Sequence, residues 1–346
     1  MRNKNIIVLA LGHGLNDLIA GFFIGVLALA NNDLLKTGLA ITIYNILAFG
    51  GQYPIAVFLE KTGNTKKFLV ASYLLNVFAI FIFLFSFEVS IILAGIASAI
   101  YHVAGGSYCA ENNKATNIGL FAAPGVAGLI AGGYLSWKQA DIIPFLLPAA
   151  ILFLFVLIKI KFATQAVEKN VSASTTRKHA IDTHDIIMIF LLLIISLRSV
   201  TWNVFQLVNE NNFEWLIAIA IAAVAGKIAG GWLADKVGWR IYALSSAIIA
   251  TPLLTFFKKE LVLFCIGIGL LQSGIPATTS LLIHSLEGKT SKGIALSFGT
   301  AIIIGAAASI FPIELLLLQT PYILLISIVL LFICSYWYKR IGSYPV

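Results

Sequence analysis

The sequence predicts an all-α membrane protein with about twelve transmembrane helices in two six-helix repeats, and three observations carry that expectation. Of the 346 residues 60% are hydrophobic and only 11% charged, with a mean hydropathy of +0.96, against roughly 25% charge in a soluble domain. Apolar runs recur along the whole length between short charged or Asn/Gly-bearing breaks, most of them close to the roughly 20 residues that a bilayer core of about 30 Å requires. A shift of 175 residues lays one half on the other: Gly51 falls on Gly226, Glu60 on Asp235, Lys61 on Lys236, Gly63 on Gly238 and Lys114 on Lys289.

Taken in order, the first run, 6–30, follows Arg2 and Lys4 and stops at Asn31, Asn32 and Asp33. Its length and its internal His13 and Asp17 distinguish it from a signal peptide, so an uncleaved first span is expected. Runs at 34–59, 68–87, 89–109, 115–137 and 142–160 follow. A polar stretch with Ser172, Ser174, Thr175 and Thr176 then predicts a cytoplasmic linker, 164–184, between an amino-terminal bundle, 1–163, and a carboxy-terminal bundle, 185–346. The second bundle takes the runs 186–207, 213–233, 241–257, 261–283, 293–313 and 321–338. Pro54, Pro124 and Pro276 fall inside spans, where proline kinks a helix.

The net charge of +8 is spread over loop ends rather than gathered on one amphipathic face, which argues against a nucleic-acid partner and for the positive-inside rule. With the N-terminus inside, the cytoplasmic segments collect 17 of the 23 Lys and Arg, and the outer loops hold Lys36, Lys138, Lys258 and Lys259. A multi-pass protein of the cell membrane with both termini cytoplasmic follows. Cys109, Cys265 and Cys334 are scattered without disulfide or metal-type spacing, so packing roles and no metal or cofactor are expected. Gly226-Lys227 is followed by Ile228 rather than Ser or Thr, which excludes a phosphate-binding loop there.

An ionisable group inside the bilayer costs about 2.5 to 3.5 kcal/mol on insertion scales, so each one asks for a reason. In the first run His13 and Asp17 are four apart and share a helix face, with Asn16 beside them. Asp17 lies about 18 Å into that helix, near the midplane. A carboxyl removed from water holds its proton to higher pH, and histidine titrates near neutrality unaided. Asp17 and His13 read as a proton-coupling pair facing a central cavity, or as a polar packing contact satisfied by a neighbouring helix. His102, in the fourth run, lies at a similar depth.

In the seventh run Arg198 is followed by Ser199, Asn203, Gln206 and Glu210 at steps of four, three and four, a polar stripe expected to face a wet cavity with Arg198 and Trp202 at its edge. Arg198 either contacts an anionic substrate or balances a buried acid such as Asp17. Lys227 lies about 9 Å from the cytoplasmic end of the eighth span. Asn16, His102, Arg198, Trp202, Asn203, Gln206 and Lys227 are the candidate substrate-binding residues.

The turn with Gly231, Asp235, Lys236, Gly238 and Arg240 resembles the loop signature of the major facilitator superfamily, found after the second helix of each six-helix half. In the first half Glu60 and Gly63 occupy the equivalent positions, with Thr65 where Arg240 stands. The resemblance implies that the acid caps or pairs across the cytoplasmic ends of neighbouring helices, while the glycine permits the tight turn. His13-Gly14-Leu15-Asn16-Asp17, Tyr101-His102 ahead of Gly105-Gly106, and Leu197-Arg198-Ser199 are similar to the fosmidomycin-resistance-like branch of that superfamily. Val103 stands where that branch usually has proline. Gly119, Gly128 and Gly132 match its antiporter signature, but Gly133 takes the place of the proline.

The resemblance implies a secondary transporter that exports a drug or metabolite in exchange for protons; Arg198, His102 and Lys227 near one path suggest that the molecule is small and anionic or amphiphilic, and sodium is the other candidate ion. Two repeats rocking about a midplane site would supply alternating access, with the chain acting as a monomer in the lipid bilayer. The rivals are an importer, a non-transporting scaffold or sensor, and an intramembrane enzyme. An enzyme would need its His and Asp residues to converge on one centre; no His-x-x-Glu-His cluster exists, and no catalytic residues are expected. The charge count makes one prediction directly. Single cysteines replacing Lys61 or Lys289 should resist an impermeant thiol reagent on intact cells, while those replacing Lys36, Lys138 or Lys258 should react; labelling of both groups from outside contradicts the topology.

Overall fold

The computed structural model describes residues 2–30, 34–162, 183–209, 212–307 and 311–341; Glu210 and all but the last two residues of the expected linker lie outside them. Regular structure among the described residues is entirely helical. In the first half α1 spans Arg2–Ala30, α2 runs as Leu34–Asn45, a π-helical turn Ile46–Gly50 and then Gln52–Thr62, α3 spans Thr65–Phe83, α4 Phe87–Ala110, α5 Ala115–Trp137 and α6 Ile143–Lys159. In the second, α7 spans Thr183–Val208, α8 Phe213–Val237, α9 Trp239–Phe256 and α10 Leu261–Ser285. There α11 runs as Thr290–Ala295, a second π-helical turn Leu296–Thr300 and Ala301–Ala307, and α12 spans Ile313–Ile341. Eleven of these are long and apolar enough to cross a membrane, and α6 is a shorter apolar helix of 17 residues.

The helix ends follow local chemistry. The side chains of Asn64, Ser86 and Asn212 accept the backbone N–H of Lys67, Val89 and Trp215, each satisfying a donor that has no partner inside its helix. Gly63 (φ 61°) and Gly238 (φ 98°) end α2 and α8, in backbone conformations that side chains resist. The largest boundary difference from expectation is at α12, which begins at Ile313 rather than at 321, so Pro321 lies inside the helix. Proline lacks the N–H that would meet the Leu317 carbonyl, and Lys258 Nζ donates to that oxygen instead at 3.3 Å.

Within the first half α1 lies along α5, and α3 packs on α4; in the second, α8 and α9 pack on α10, and α7 on α12. The halves meet chiefly where α5 touches α8 and where α2 touches α11, the two π-helical turns being in contact there. Phe85, Phe145 and Phe256 project from the outer faces and are about three-quarters exposed, as suits a surface solvated by lipid.

The α1–α5 contact is backbone to backbone: a Cβ at Gly128 would overlap the Gly14 carbonyl, and one at Gly132 the Leu18 carbonyl. Small residues that let helices touch are a main source of helix association in membranes. Gly128→Val should therefore cost about 3 kcal/mol by overpacking, read as a clear loss of thermal stability in detergent. Gly133→Ala, where a Cβ meets nothing within 4 Å, should leave stability unchanged; equal effects would mean this contact is not what holds the bundle.

Candidate functional site

Three helices bring the polar residues of the first half together. Along α1, His13, Asn16 and Asp17 face inward; α4 brings Ser98 and His102; α5 supplies the Phe121 carbonyl. His13 Nδ1 lies 2.7 Å from the Phe121 carbonyl oxygen and His102 Nδ1 lies 2.7 Å from that of Ser98. A carbonyl oxygen only accepts, so each Nδ1 carries its hydrogen and each neutral ring presents a bare Nε2. Those two Nε2 atoms are 2.9 Å apart. Asp17 closes the triangle, with Oδ2 at 3.2 Å from His13 Nε2 and Oδ1 at 3.8 Å from His102 Nε2.

The surroundings fix these orientations. The His13 ring stacks on Phe121 with centroids 4.5 Å apart and meets His102 edge-on. Asn16 Nδ2 donates to Asp17 Oδ1 at 2.9 Å, and Asn76 Nδ2 from α3 donates to Asn16 Oδ1 at 2.9 Å. Gly125 leaves the room: a Cβ there would come within 2.6 Å of both Asp17 Oδ2 and His13. His13 is 4% and His102 6% exposed, so the cluster is nearly closed.

In the second half Arg198 is buried and donates to Thr278 Oγ1 at 2.7 Å, while the half-buried Lys227 on α8 lies near enough to Asp17 and Arg198 to feel their charge. Among the described residues no carboxylate lies within ion-pair distance of either cation. Arg198 thus does not salt-bridge Asp17. Asn203 and Gln206 line a cavity of about 730 Å³ with Asn45, Tyr134, Trp137 and Ala306, between the two halves and away from the Asp235 turn. Trp202 packs instead against the apolar cluster around Phe205 and Ile219.

At the other end the halves are tied. The Asp235 carboxylate accepts from the backbone N–H of Ala115 (2.8 Å) and Thr116 (2.9 Å), from the Thr116 hydroxyl and from Trp239 Nε1. It therefore caps the first turn of α5 from the opposite half, where the helix dipole favours an anion. Gly231 allows the approach, because a Cβ there would meet Ala115 and Thr116 backbone. Glu60, its repeat counterpart, pairs with Lys292 of α11 at 3.0 Å. Lys236 Nζ sits 3.7 Å over the Trp232 ring, and Arg240 reaches the Ser335 carbonyl.

Sequence spacing offered no metal-type ligand set, yet His13, Asp17 and His102 converge, with donor atoms all within 4.8 Å of one another. The fold hides this because the two histidines are 89 residues apart. Asn76, Ser98 and Gly125 were not singled out from the sequence; an asparagine in the middle of an apolar run, as Asn76 is, was the available signal.

A model of the Major Facilitator Superfamily matches residues 6–312. No curated protein matches the chain significantly. Crystal structures of the E. coli fucose:proton symporter FucP superpose with TM-scores of 0.67 and 0.65, at 14% and 13% identity, covering 98% and 95% of this chain and 97% and 99% of theirs. A bacterial homologue of the iron transporter ferroportin, in an outward-facing state, gives 0.59 at 13% identity over 98% of this chain and 100% of its own. At such identity the likeness is one of fold.

The Asp235 cap generates a test. Asp235→Ala should weaken the α5 cap by about 1 kcal/mol and raise several-fold the alkylation rate of a cysteine placed at Asn117, which is 9% exposed on α5. An unchanged rate would show that this carboxylate does not hold the halves together.

Proposed function

We propose that this chain, which belongs to the Major Facilitator Superfamily and is a secondary transporter, exports a small anionic or amphiphilic molecule in exchange for protons bound at His13, Asp17 and His102. The observation that carries the reading is the meeting of the two Nε2 atoms at 2.9 Å. Two bare lone pairs beside a carboxylate repel at that distance; one proton between them turns the contact into an N–H···N hydrogen bond and leaves an imidazolium against Asp17. The cluster is complete only with a cation.

Charge links this site to the other half. Asp17 belongs to the first half and Lys227 to the second, and the Asp17 charge acts on the Lys227 ammonium. An anionic Asp17 attracts the Lys227 helix, and a cation bound at the cluster cancels that attraction, which biases a two-state rocking motion. Arg198 and Lys227, lacking carboxylate partners among the described residues, are the groups that would hold an anionic substrate, with Asn203 and Gln206 at its entrance. The likeness of the His13 to Asp17 segment to the fosmidomycin-resistance-like branch supports the outward direction. That the family is one of transporters sets aside the intramembrane enzyme.

The test is flux in proteoliposomes under an imposed pH gradient, with a sodium gradient as the parallel arm. Asp17→Asn should lower proton-driven flux at least tenfold while substrate exchange without net flux survives. Proton-driven flux that persists in Asp17→Asn, or drive by sodium alone, overturns the coupling assignment; uptake under the same gradient reverses the direction.

A further inference from the structure

We infer that His13, Asp17 and His102 also form a binding site for a divalent first-row transition-metal ion. The site shares residues with the coupling site proposed above but rests on ligand geometry alone.

Two imidazole nitrogens and one carboxylate are the donor set that such ions take up, and that Mg²⁺ and Ca²⁺, which favour all-oxygen shells, take up poorly. At metal–ligand distances of about 2.1 Å, adjacent donors stand about 3.0 Å apart in an octahedron and about 3.4 Å apart in a tetrahedron. Here the two Nε2 atoms are 2.9 Å apart, Asp17 Oδ2 lies 3.2 Å from His13 Nε2 and Asp17 Oδ1 lies 3.8 Å from His102 Nε2. The histidine pair and the Oδ2 contact lie near these values, and with one carboxylate oxygen as ligand the three donor atoms are within 4.8 Å of one another, so closing the set requires the Asp17 carboxylate to turn toward His102.

The outer partners match those that metal-bound histidine requires. Each ring donates Nδ1–H to a backbone carbonyl, Phe121 for His13 and Ser98 for His102, which fixes the tautomer and turns the Nε2 lone pair toward the centre. The carboxylate is held in turn by Asn16, and Asn16 by Asn76. Gly125 keeps the remaining side clear, since a Cβ would intrude on both Asp17 and His13, and the Asp17 side chain keeps 15% of its surface exposed. Three protein ligands leave at least one position for water or an exchanging ligand. Lys227 is the nearby charge that opposes a bound cation. The ion and the shared proton are mutually exclusive, because both occupy the space between the two Nε2 atoms.

The experiment uses the full-length protein in detergent with any affinity tag removed, Co²⁺ as a spectroscopic probe and Zn²⁺ in calorimetry. One Co²⁺ per chain should bind, with visible ligand-field bands, and Zn²⁺ should displace it. His102→Gln and His13→Gln should each weaken binding at least tenfold, and Asn16→Ala, which removes the donor to Asp17 and to Ser98, about tenfold. His284→Gln, on α10 away from the cluster, should leave it unchanged. Size-exclusion profiles identify any variant that fails to fold, and the remaining ones then decide. Absence of saturable binding in the folded wild type, or binding that survives both histidine substitutions, overturns the inference. No gradient or substrate enters this measurement, so its failure leaves the coupling proposal standing, and proton-driven flux in Asp17→Asn would leave the metal site standing.

Discussion

Where Gly128 and Gly132 of α5 lie on α1 the contact is backbone to backbone, and the rest of the site depends on that contact. Gly14, Gly128 and Gly132 bring the helices together. Only at that separation does the Phe121 carbonyl reach His13 Nδ1 and set its tautomer. The same approach leaves at Gly125 the space in which the His13 and Asp17 side chains lie. In lipid, where apolar side chains gain little by leaving their solvent, such close packing supplies much of the association energy. The polar cluster is thus placed by van der Waals contact rather than by its own charges.

The repeat explains how the halves are tied. Glu60 and Asp235 are equivalent under the 175-residue shift, and each reaches the start of a helix in the other half, Lys292 near the start of α11 and Ala115 at the start of α5. The two ties differ in kind. The aspartate is short and takes backbone donors directly, in a geometry that glycine at position 231 permits; the longer glutamate pairs with a side chain. The Glu60–Lys292 pair is half-buried, each side chain about a quarter exposed, whereas the Asp235 cap satisfies helix-terminal donors that have no partner inside α5.

Much of this was legible beforehand, for physical reasons. A bilayer forces backbone groups into helices, so hydropathy alone located the spans, and the shared turn gave the repeat. The depth of His13 and His102 in their runs hinted at their meeting, but a contact across 89 residues leaves no local pattern. Arg198 was expected either at substrate or at a buried acid; its bond to Thr278 rests on a threonine that Thr279 and Ser280 follow at once, so the sequence did not single it out. Trp202 was expected at the edge of the stripe and packs against an apolar cluster, a contact set by neighbouring helices that helical periodicity alone does not reveal. The last span was expected from 321 and begins at Ile313, and nothing local announced that Lys258 would reach the Leu317 carbonyl that Pro321 leaves without its N–H partner.

The π-helical turns in α2 and α11 change how those helices are to be read. Each turn accommodates one residue beyond an α-helical turn, which rotates everything after it by about 100° relative to a continuous helix. A side chain thirty ångströms along α2 from its start therefore faces a different neighbour than unbroken periodicity assigns. A position-by-position map of substitution tolerance through 34–62 and 290–307 would be periodic on both sides of each turn yet out of phase across it. The jump would fall at Ile46–Gly50 and Leu296–Thr300, where the two helices touch.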